Sequence, residues 1–570
     1  MRATEKAPLK KRRRFPMMYK SAGKKFVAVV LTLALLSLPL LSAIGESADP
    51  LGKYDPAINI TFVRAVDNDL TSNVLPKTPN ETMESNRWLD LYADALGINV
   101  SYAWTVQGGY TDDAYKQKIN VTLASGDLPD VIPVTASQLK QLADADMIED
   151  MTPYFEQYAS DLTRQCYSEE GSSVLDSATF DGKLMAIPNL DASIESAQFL
   201  WIRNDWLKKL GLQAPTTMQE LLAVSNAFAT KDPDGNGVND TYGLAITKGL
   251  YAGCMGVEGF FAGYHAYPNY WMKTADGKLA YGSVQPETKV ALAALAEMYK
   301  NGEIDQEFGV KDGSKVAETI AAGKLGIDFG EQWNPLYPLN QNYNNDPTAD
   351  WISLAIPSCD DTQVSVPLQF RTSLYFAVRK GYEHPEAVVK MVNMHLEKNW
   401  GETNDFSKYY MPAENGNTSV WKFSPVTPYP PYKNLNAFLQ IEAARNTNTL
   451  DKLVGEAAVI ESNVEAYLAG DGSVWGWDKI YGVDGVYNVL KAYRDNGQLM
   501  VESFTGAPTE TMVERQATLE QMEKEAFIKI IMGAAPIDEF DTFVNNWYQL
   551  GGQDITNEVN DWYASLSSAK

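Results

Sequence analysis

Residues 232–240 read Asp232-Pro-Asp-Gly-Asn-Gly-Val-Asn-Asp240 and set Asp232, Asp234, Asn236 and Asp240 at positions 1, 3, 5 and 9 of a tight loop. Gly237 stands where the chain must turn sharply, and the Val238 carbonyl falls at position 7. Oxygen ligands at these positions are how a loop wraps a hard cation, so the spacing points to Ca²⁺. Position 12 is Gly243 rather than the usual bidentate Glu. Asp240 or water would have to fill that gap. The competing reading is a metal-free surface turn, since Asx and Gly residues favour turns for backbone reasons alone. The loop holds no catalytic group, so an ion there would be structural.

A second set of candidates follows a short apolar strand over 324–330: Glu331, Gln332 and Trp333. In open α/β sheets ligands collect at the carboxyl ends of strands. An exposed Trp face beside an amide and a carboxylate suits a sugar ring, whose C–H face is apolar and whose hydroxyls need partners. Thr135, just past a strand over 130–134, occupies the equivalent place earlier in the chain, and Trp475 and Tyr264 lie in irregular aromatic stretches. Most of the 13 Trp, 30 Tyr and 20 Phe must pack in cores, because aromatics are usually buried. Trp333 differs in having a strand-end position as a second reason.

Catalytic signatures are missing. The three histidines, His265, His384 and His395, form no zinc motif. There is no nucleophile elbow, phosphate loop or dinucleotide fingerprint. With 73 acids, some pair at glycosidase spacing always exists and carries no information.

The elements that would position these residues alternate. Strands are expected over 58–66, 98–104 and 130–134, with helices over 81–96 and 112–124 between them. The pattern restarts with a strand over 199–203 and helices over 205–210 and 217–230, the last running into the acidic loop. Helices over 287–300 and 314–322, the strand over 324–330, a strand over 373–378 and a helix over 385–398 follow. From 434 onward the chain is mainly helical. Such alternation argues for parallel sheets covered on both faces, an α/β architecture. The length calls for two lobes.

The N-terminus sets the compartment. A basic stretch, Lys10-Lys-Arg-Arg-Arg14 with Lys20, Lys24 and Lys25, precedes an apolar run over 26–41 and small residues at 43–45. This is the layout of a signal peptide over 1–45, with a retained membrane anchor as the alternative. Residues 1–45 carry ten Lys or Arg and one acid, so the remainder is more acidic than the whole, about −34 against −25. A domain that acidic repels nucleic acid. Cys166, Cys254 and Cys359 are an odd number at unrelated spacings, read as three small hydrophobes with no disulfide framework.

Several segments carry a resemblance. They are Leu123-Ala-Ser-Gly-Asp-Leu-Pro-Asp130, Met147-Ile-Glu-Asp-Met-Thr-Pro-Tyr154, Ile202-Arg-Asn-Asp-Trp-Leu-Lys-Lys-Leu-Gly-Leu212 and the acidic loop. Tyr281-Gly-Ser-Val-Gln-Pro-Glu287, Arg379-Lys-Gly-Tyr-Glu-His-Pro-Glu386, Phe504-Thr-Gly-Ala-Pro-Thr509 and Ile531-Met-Gly-Ala-Ala-Pro-Ile-Asp538 follow in order. In this sequence and spacing the chain resembles the extracellular solute-binding proteins of carbohydrate ABC transporters, alginate-binding members included. The resemblance implies a type II periplasmic-binding-protein fold, an oligosaccharide or sugar-acid ligand, an ABC permease as partner, Ca²⁺ in the acidic loop, and a monomeric carrier with no catalysis. The expected layout is a tether over 46–56, an N-terminal lobe over 57–190 and 365–420, and a C-terminal lobe over 195–358 and 421–570. Family members usually carry a lipid-modified Cys after the signal; the segment 41–48 has none, which points to a secreted or surface location without that anchor. The alternatives are a secreted polysaccharide-degrading enzyme and a sugar-presenting partner of a membrane sensor.

Overall fold

The computed structural model describes residues 49–568 apart from Asn417. The expected signal peptide and the first residues of the tether lie outside the described residues. None of the described helices is long and apolar enough to cross a membrane.

Two sheets organise the chain. The first runs Ile98–Gln107, Ile58–Val66, Val131–Val134, Tyr375–Val378, Ile187–Pro188. The second runs Trp351–Leu354, Phe199–Arg203, Leu325–Gly330, Tyr242–Leu244. Neither is purely parallel, which corrects the expectation drawn from alternation. Tyr375–Val378 runs antiparallel to Val131–Val134, and Phe199–Arg203 runs antiparallel to both its neighbours. The reason is topological: Tyr375–Val378 joins the first sheet between Val131–Val134 and Ile187–Pro188 after a long excursion through the second, and is no part of a local strand–helix–strand unit.

Buried side chains fall into two clusters, one drawn from Ile60–Leu190 and Tyr375–Val426, the other from Ile194–Leu368 and Leu435–Val559. The chain therefore passes between cores three times, at 190–194, 368–375 and 426–435. The second passage comes later than the 358–365 boundary expected above, because Val366–Leu368 pairs in parallel with Leu499–Val501 and stays with the second core. The third is later as well, since Val420, Phe423 and Val426 are buried in the first.

Local signals set most element ends. The first helix expected over 81–96 begins only at Arg87, where the Asn86 side chain accepts from the Trp88 and Leu89 amides, as an N-cap does. Thr217 caps Met218–Thr230 by accepting from the Glu220 amide at 3.2 Å, while the Glu220 carboxylate turns to the Thr216 amide. Gly243 lies against Ser225 so closely that a Cβ would collide with the Ser225 Oγ. The loop's twelfth position is thus used to pack strand on helix and has no room for an acid. All three cysteines are free thiols; Cys166 and Cys254 are buried, whereas Cys359 is exposed and is no core hydrophobe.

The expected tether is not loose where it is described. Tyr54 donates to Glu386 at 2.7 Å, Lys390 to the Gly52 carbonyl at 2.8 Å, and Asn393 Nδ2 to the Pro50 carbonyl at 2.9 Å. Asn393, 1% exposed, also donates to the Tyr158 carbonyl and accepts from the Ser160 amide and the Thr163 hydroxyl. Replacing it strands several buried groups, each costing about 1–3 kcal/mol. Asn393→Ala is expected to lower stability by roughly 3 kcal/mol and to open residues 49–56 to protease, read by thermal melts and limited proteolysis.

Candidate functional site

The Leu325–Gly330 strand is buried along its whole length and carries a carboxyl inside it. Asp328, fully buried, accepts the Met255 amide on Oδ1 and the Asn334 amide group on Oδ2, both at 2.9 Å. Burial pushes its carboxyl up to about 7. It thereby fixes the 252–258 segment on one side of the strand end and the 331–334 turn on the other. The Glu331 amide donates to the Gly253 carbonyl at 2.7 Å, closing the same junction.

Glu331 is held from two directions. Arg371 Nη2 sits 2.9 Å from both its oxygens, and Trp333 Nε1 donates to Oε2 at 2.6 Å. Its side chain is only 9% exposed, and burial raises the carboxyl in spite of the Arg371 guanidinium. Trp333 is half-buried against the second core. Gly253 is squeezed against both: a Cβ there would stand 2.8 Å from Trp333 Cζ2 and 3.1 Å from Glu331 Oε1.

Glu331 and Gly253 line a cavity of about 210 Å³ together with Ser196, Gln198, Glu258, Tyr270, Gln369 and Glu502. Its walls come from the strand end, the 251–258 and 268–270 segments, Ser196 and Gln198 just after the first passage, Gln369 on the second, and Glu502. Gln369 is fixed by its amide donating to Ser196 Oγ at 2.8 Å, and Glu502 by its amide donating to the Leu368 carbonyl at 3.1 Å. Through Tyr251, Asn269, Gln369 and Glu502 the cavity shares walls with a wider hollow of about 510 Å³, lined also by Trp271, Tyr281, Phe504 and Glu523. Tyr251 donates to Glu523 at 2.8 Å. Burial pushes Glu258 and Glu502 up to about 8 and Glu523 up to about 7. A half-open hollow with aromatic walls and a few fixed polar groups is suited to a small polar ligand.

The other sequence candidates are placed elsewhere. Gln332 points away, donating to Glu195 Oε2 at 2.7 Å; Glu195 also accepts from Asn434 and Tyr487. Thr135 caps Ala136–Asp144, its amide donating to Gln138. Trp475 is 2% exposed and stacks on Tyr343 with centroids 4.8 Å apart, so packing absorbs its face. Tyr264 tilts onto Phe260 at 5.4 Å. None of these four lines either hollow, and neither does Trp333; of the sequence candidates Glu331 alone does. The sequence reading missed Arg371, Glu258, Glu502 and Glu523, which no local motif marks. Position next to the Val366–Leu368 strand was the available signal for Arg371.

In the acidic loop, Asp232 accepts the Gly235 and Gly237 amides at 3.0 Å each, and both glycines have positive φ, 77° and 80°. The Asn236 side chain bridges Asp234 and Asp240 at 2.7 and 3.2 Å. Burial and the adjacent Asp232 push Asp234 up, a like-charge crowding that a cation would relieve. Lys324, 2.8 Å from Asp240 Oδ2, holds that carboxyl down. The carboxylates, the Asn236 amide oxygen and the Val238 carbonyl are oxygen ligands of the kind a hard cation takes, and Asn236, whose Nδ2 faces Asp234 and Asp240, would have to turn its Oδ1 inward to join them. Among the described residues, the one group of three His, Cys, Asp or Glu side chains whose ligand atoms lie within 4.8 Å of one another is His265, Cys359 and Asp360; Asp232, Asp234 and Asp240 do not form such a group. In the His265 group, burial and Asp360 raise the Cys359 thiol, and His265 is paired to Asp360 at 3.1 Å.

A sequence model of the family described as bacterial extracellular solute-binding protein matches residues 82–401, just over half the chain. Lipoprotein LipO of Bacillus subtilis (strain 168) is 28% identical over 255 residues, 44% of this chain and 47% of its own. The polygalacturonan/rhamnogalacturonan-binding protein YtcQ of the same strain is 29% identical over 225 residues, 39% and 43% respectively. The fructooligosaccharide ABC transporter substrate-binding protein FusA of Streptococcus pneumoniae serotype 4 (strain ATCC BAA-334 / TIGR4) is 26% identical over 348 residues, 58% and 61%. The chain thus spans about half the length of the curated relatives it matches. Among solved structures, an extracellular solute-binding protein from Bifidobacterium longum subsp. infantis superposes with TM-score 0.59 at 16% identity, covering 90% of this chain and 99% of that one. The S. pneumoniae FusA EF-hand mutant in complex with fructo-nystose gives 0.56 at 17%, covering 90% and 100%. Alginate-binding protein AlgQ2 without calcium ion gives 0.53 at 15%, again 90% and 100%. The fold is the type II solute-binding α/β fold.

Asp328 makes the junction sensitive to pH. Its raised carboxyl stabilises the folded state fully below the unfolded value near 3.8, and that contribution is lost as pH rises toward about 7. Asp328→Asn removes the titration. The stability difference between the parent and this variant is expected to shift against the parent by on the order of 2 kcal/mol between pH 5 and pH 8, measured by paired thermal melts.

Proposed function

Because the chain belongs to the bacterial extracellular solute-binding proteins, we propose that it captures a carbohydrate outside the cell and delivers it to the permease of an ABC importer. The observation that carries this reading is the cavity at the end of Leu325–Gly330, where Glu331 is clamped between Arg371 and Trp333 beside Tyr270. A preset carboxylate next to aromatic walls suits a sugar, taking hydroxyl protons on one side and C–H faces on the other. The names of YtcQ and FusA, a glycan-binding protein and a fructooligosaccharide carrier component, support the class of ligand. Two cores joined by three passages would move relative to each other on binding, with ligand contacts from both favouring the closed state that the permease reads. We assign the role of carrier rather than hydrolase, monomeric, with no nucleic-acid partner given the net charge of −25.

Glu331 is the residue assigned to ligand contact, and Trp333, outside the lining, positions it through the Nε1 bond to Oε2. Gln332, Thr135, Tyr264 and Trp475 are given no part in this cavity. A charge-assisted hydrogen bond contributes about 1.5–3 kcal/mol, so Glu331→Gln should weaken saccharide affinity roughly tenfold or more. Trp333→Phe, which keeps a ring and loses the bond to Glu331, should weaken it less. Calorimetry across a panel of plant and microbial oligosaccharides measures both, and overnight incubation should leave the bound saccharide's chain length unaltered. Turnover that survives purification and vanishes in one acid variant would favour the enzyme.

We propose further that Asp232, Asp234, Asn236, the Val238 carbonyl and Asp240 hold a structural Ca²⁺. The oxygen ligands at this spacing and the crowding of Asp232 with Asp234 support it, and the solved FusA and AlgQ2 structures are described in terms of an EF-hand and a calcium ion respectively. An ion bound only by the folded state stabilises by mass action, about 2.7 kcal/mol at a hundredfold excess over Kd. Chelation should lower the melting temperature, and Asp232→Ala should abolish the difference. An unchanged melt with chelator, and no metal by elemental analysis, would remove the ion from this reading.

A further inference from the structure

The two joined hollows are built almost wholly of acids and neutral groups. Glu258, Glu331 and Glu502 line the smaller one and no Lys or Arg does. Glu502, Glu520 and Glu523 line the wider one, with Lys524 as its single cation. The nearest guanidinium, Arg371, does not line either hollow, and its charge is matched by Glu331 at 2.9 Å. The three acids of the smaller hollow share it with Tyr270, whose phenol is pushed up by burial and by Glu258, Glu502 and Glu331. An independent feature marks the space as made for a ligand. Gln198, 4% exposed, lines the smaller hollow, and its Oε1 has no hydrogen-bond partner. Buried polar atoms of this kind are rare and call for a partner, and an acceptor oxygen asks for a donor, a hydroxyl or an ammonium.

We infer that the cavity sorts saccharides by charge: it takes neutral and amine-bearing sugars and rejects uronates. The inference rests on the carrier reading above and names its substrate class. A uronate entering here would give up hydration and find no free cation, since Arg371 is matched by Glu331, so its desolvation goes unrepaid. A neutral sugar presents hydroxyl donors to Gln198 Oε1 and to the carboxyl oxygens. A protonated amine does the same, and as a cation beside Glu258 and Glu502 it favours the ionised form that burial disfavours, so its binding is coupled to release of a carboxyl proton. The distinction divides ligands of the kind named for YtcQ, a polygalacturonan/rhamnogalacturonan-binding protein, from those of the kind named for FusA, a fructooligosaccharide carrier component.

The test uses the chain without its first 45 residues and three sets of size-matched oligosaccharides. The neutral set is fructan, galactan and glucan fragments; the amine set is chitosan fragments; the acidic set is galacturonate and alginate fragments. Calorimetry at constant ionic strength is expected to show at least one neutral or amine-bearing ligand binding at least about tenfold tighter than every uronate. Glu502→Gln and Glu258→Gln should each narrow that gap, chiefly by weakening the amine-bearing ligand; circular dichroism and melts confirm that the variants are folded. Uronates binding tightest, or all three sets binding alike, would overturn the charge sorting while leaving the carrier reading intact. Failure to bind any saccharide in the panel would overturn both.

Discussion

Glu331 and Arg371 come from segments that would otherwise have no reason to meet. Glu331 ends a strand in the middle of the second sheet, and Arg371 lies on the second of the three passages between the cores. With a carboxylate only 9% exposed, leaving that partner out would strand a buried charge, which costs far more than an ordinary surface pair is worth. The pair therefore fixes where the passage lies relative to the strand end. Once it is fixed, Gln369 and Ser196 are brought together, and Glu502 follows through the pairing of Leu499–Val501 with Val366–Leu368.

Asp328 plays the matching role one step below. A carboxyl in the interior of a strand is an unfavourable choice for packing, yet both its oxygens are used, on Met255 and Asn334. Those two bonds hold the loop and the turn that form the cavity floor, so burial of the acid is spent on geometry rather than on stability. The same logic explains the close approach at Gly253, which leaves no room for a side chain between Glu331 and Trp333.

The acidic loop stands apart from this machinery in its chemistry. Its glycines permit the positive φ that lets successive amides converge on Asp232, and Lys324 offsets part of the charge from a neighbouring element. Gly243, at the position where an extra acid would complete a cage, is committed to packing against Ser225. The loop is thus a compromise between holding oxygen ligands together and starting a strand two residues later.

Much of the fold was legible in the residues. The strands Ile58–Val66 and Phe199–Arg203 and the helix Met218–Thr230 follow from apolar runs, caps and glycine stops, which are local and short-range. The family, too, was legible, because ordered motifs survive where global identity is low. Glu331 and Trp333 were singled out because a strand end is visible in sequence, and of the two Glu331 lines the cavity. What the sequence could not decide was everything that depends on long-range closure: the antiparallel entry of Tyr375–Val378, the burial of Trp475 against Tyr343, the diversion of Gln332 to Glu195, and the meeting of Glu258, Glu331 and Glu502 in one hollow with Tyr270. Those acids are up to 244 residues apart, and side chains at such separations come together only when the passages between cores have been placed. The residues by themselves determined which elements form and which family they make; only the tertiary structure decided which carboxyls share one desolvated space.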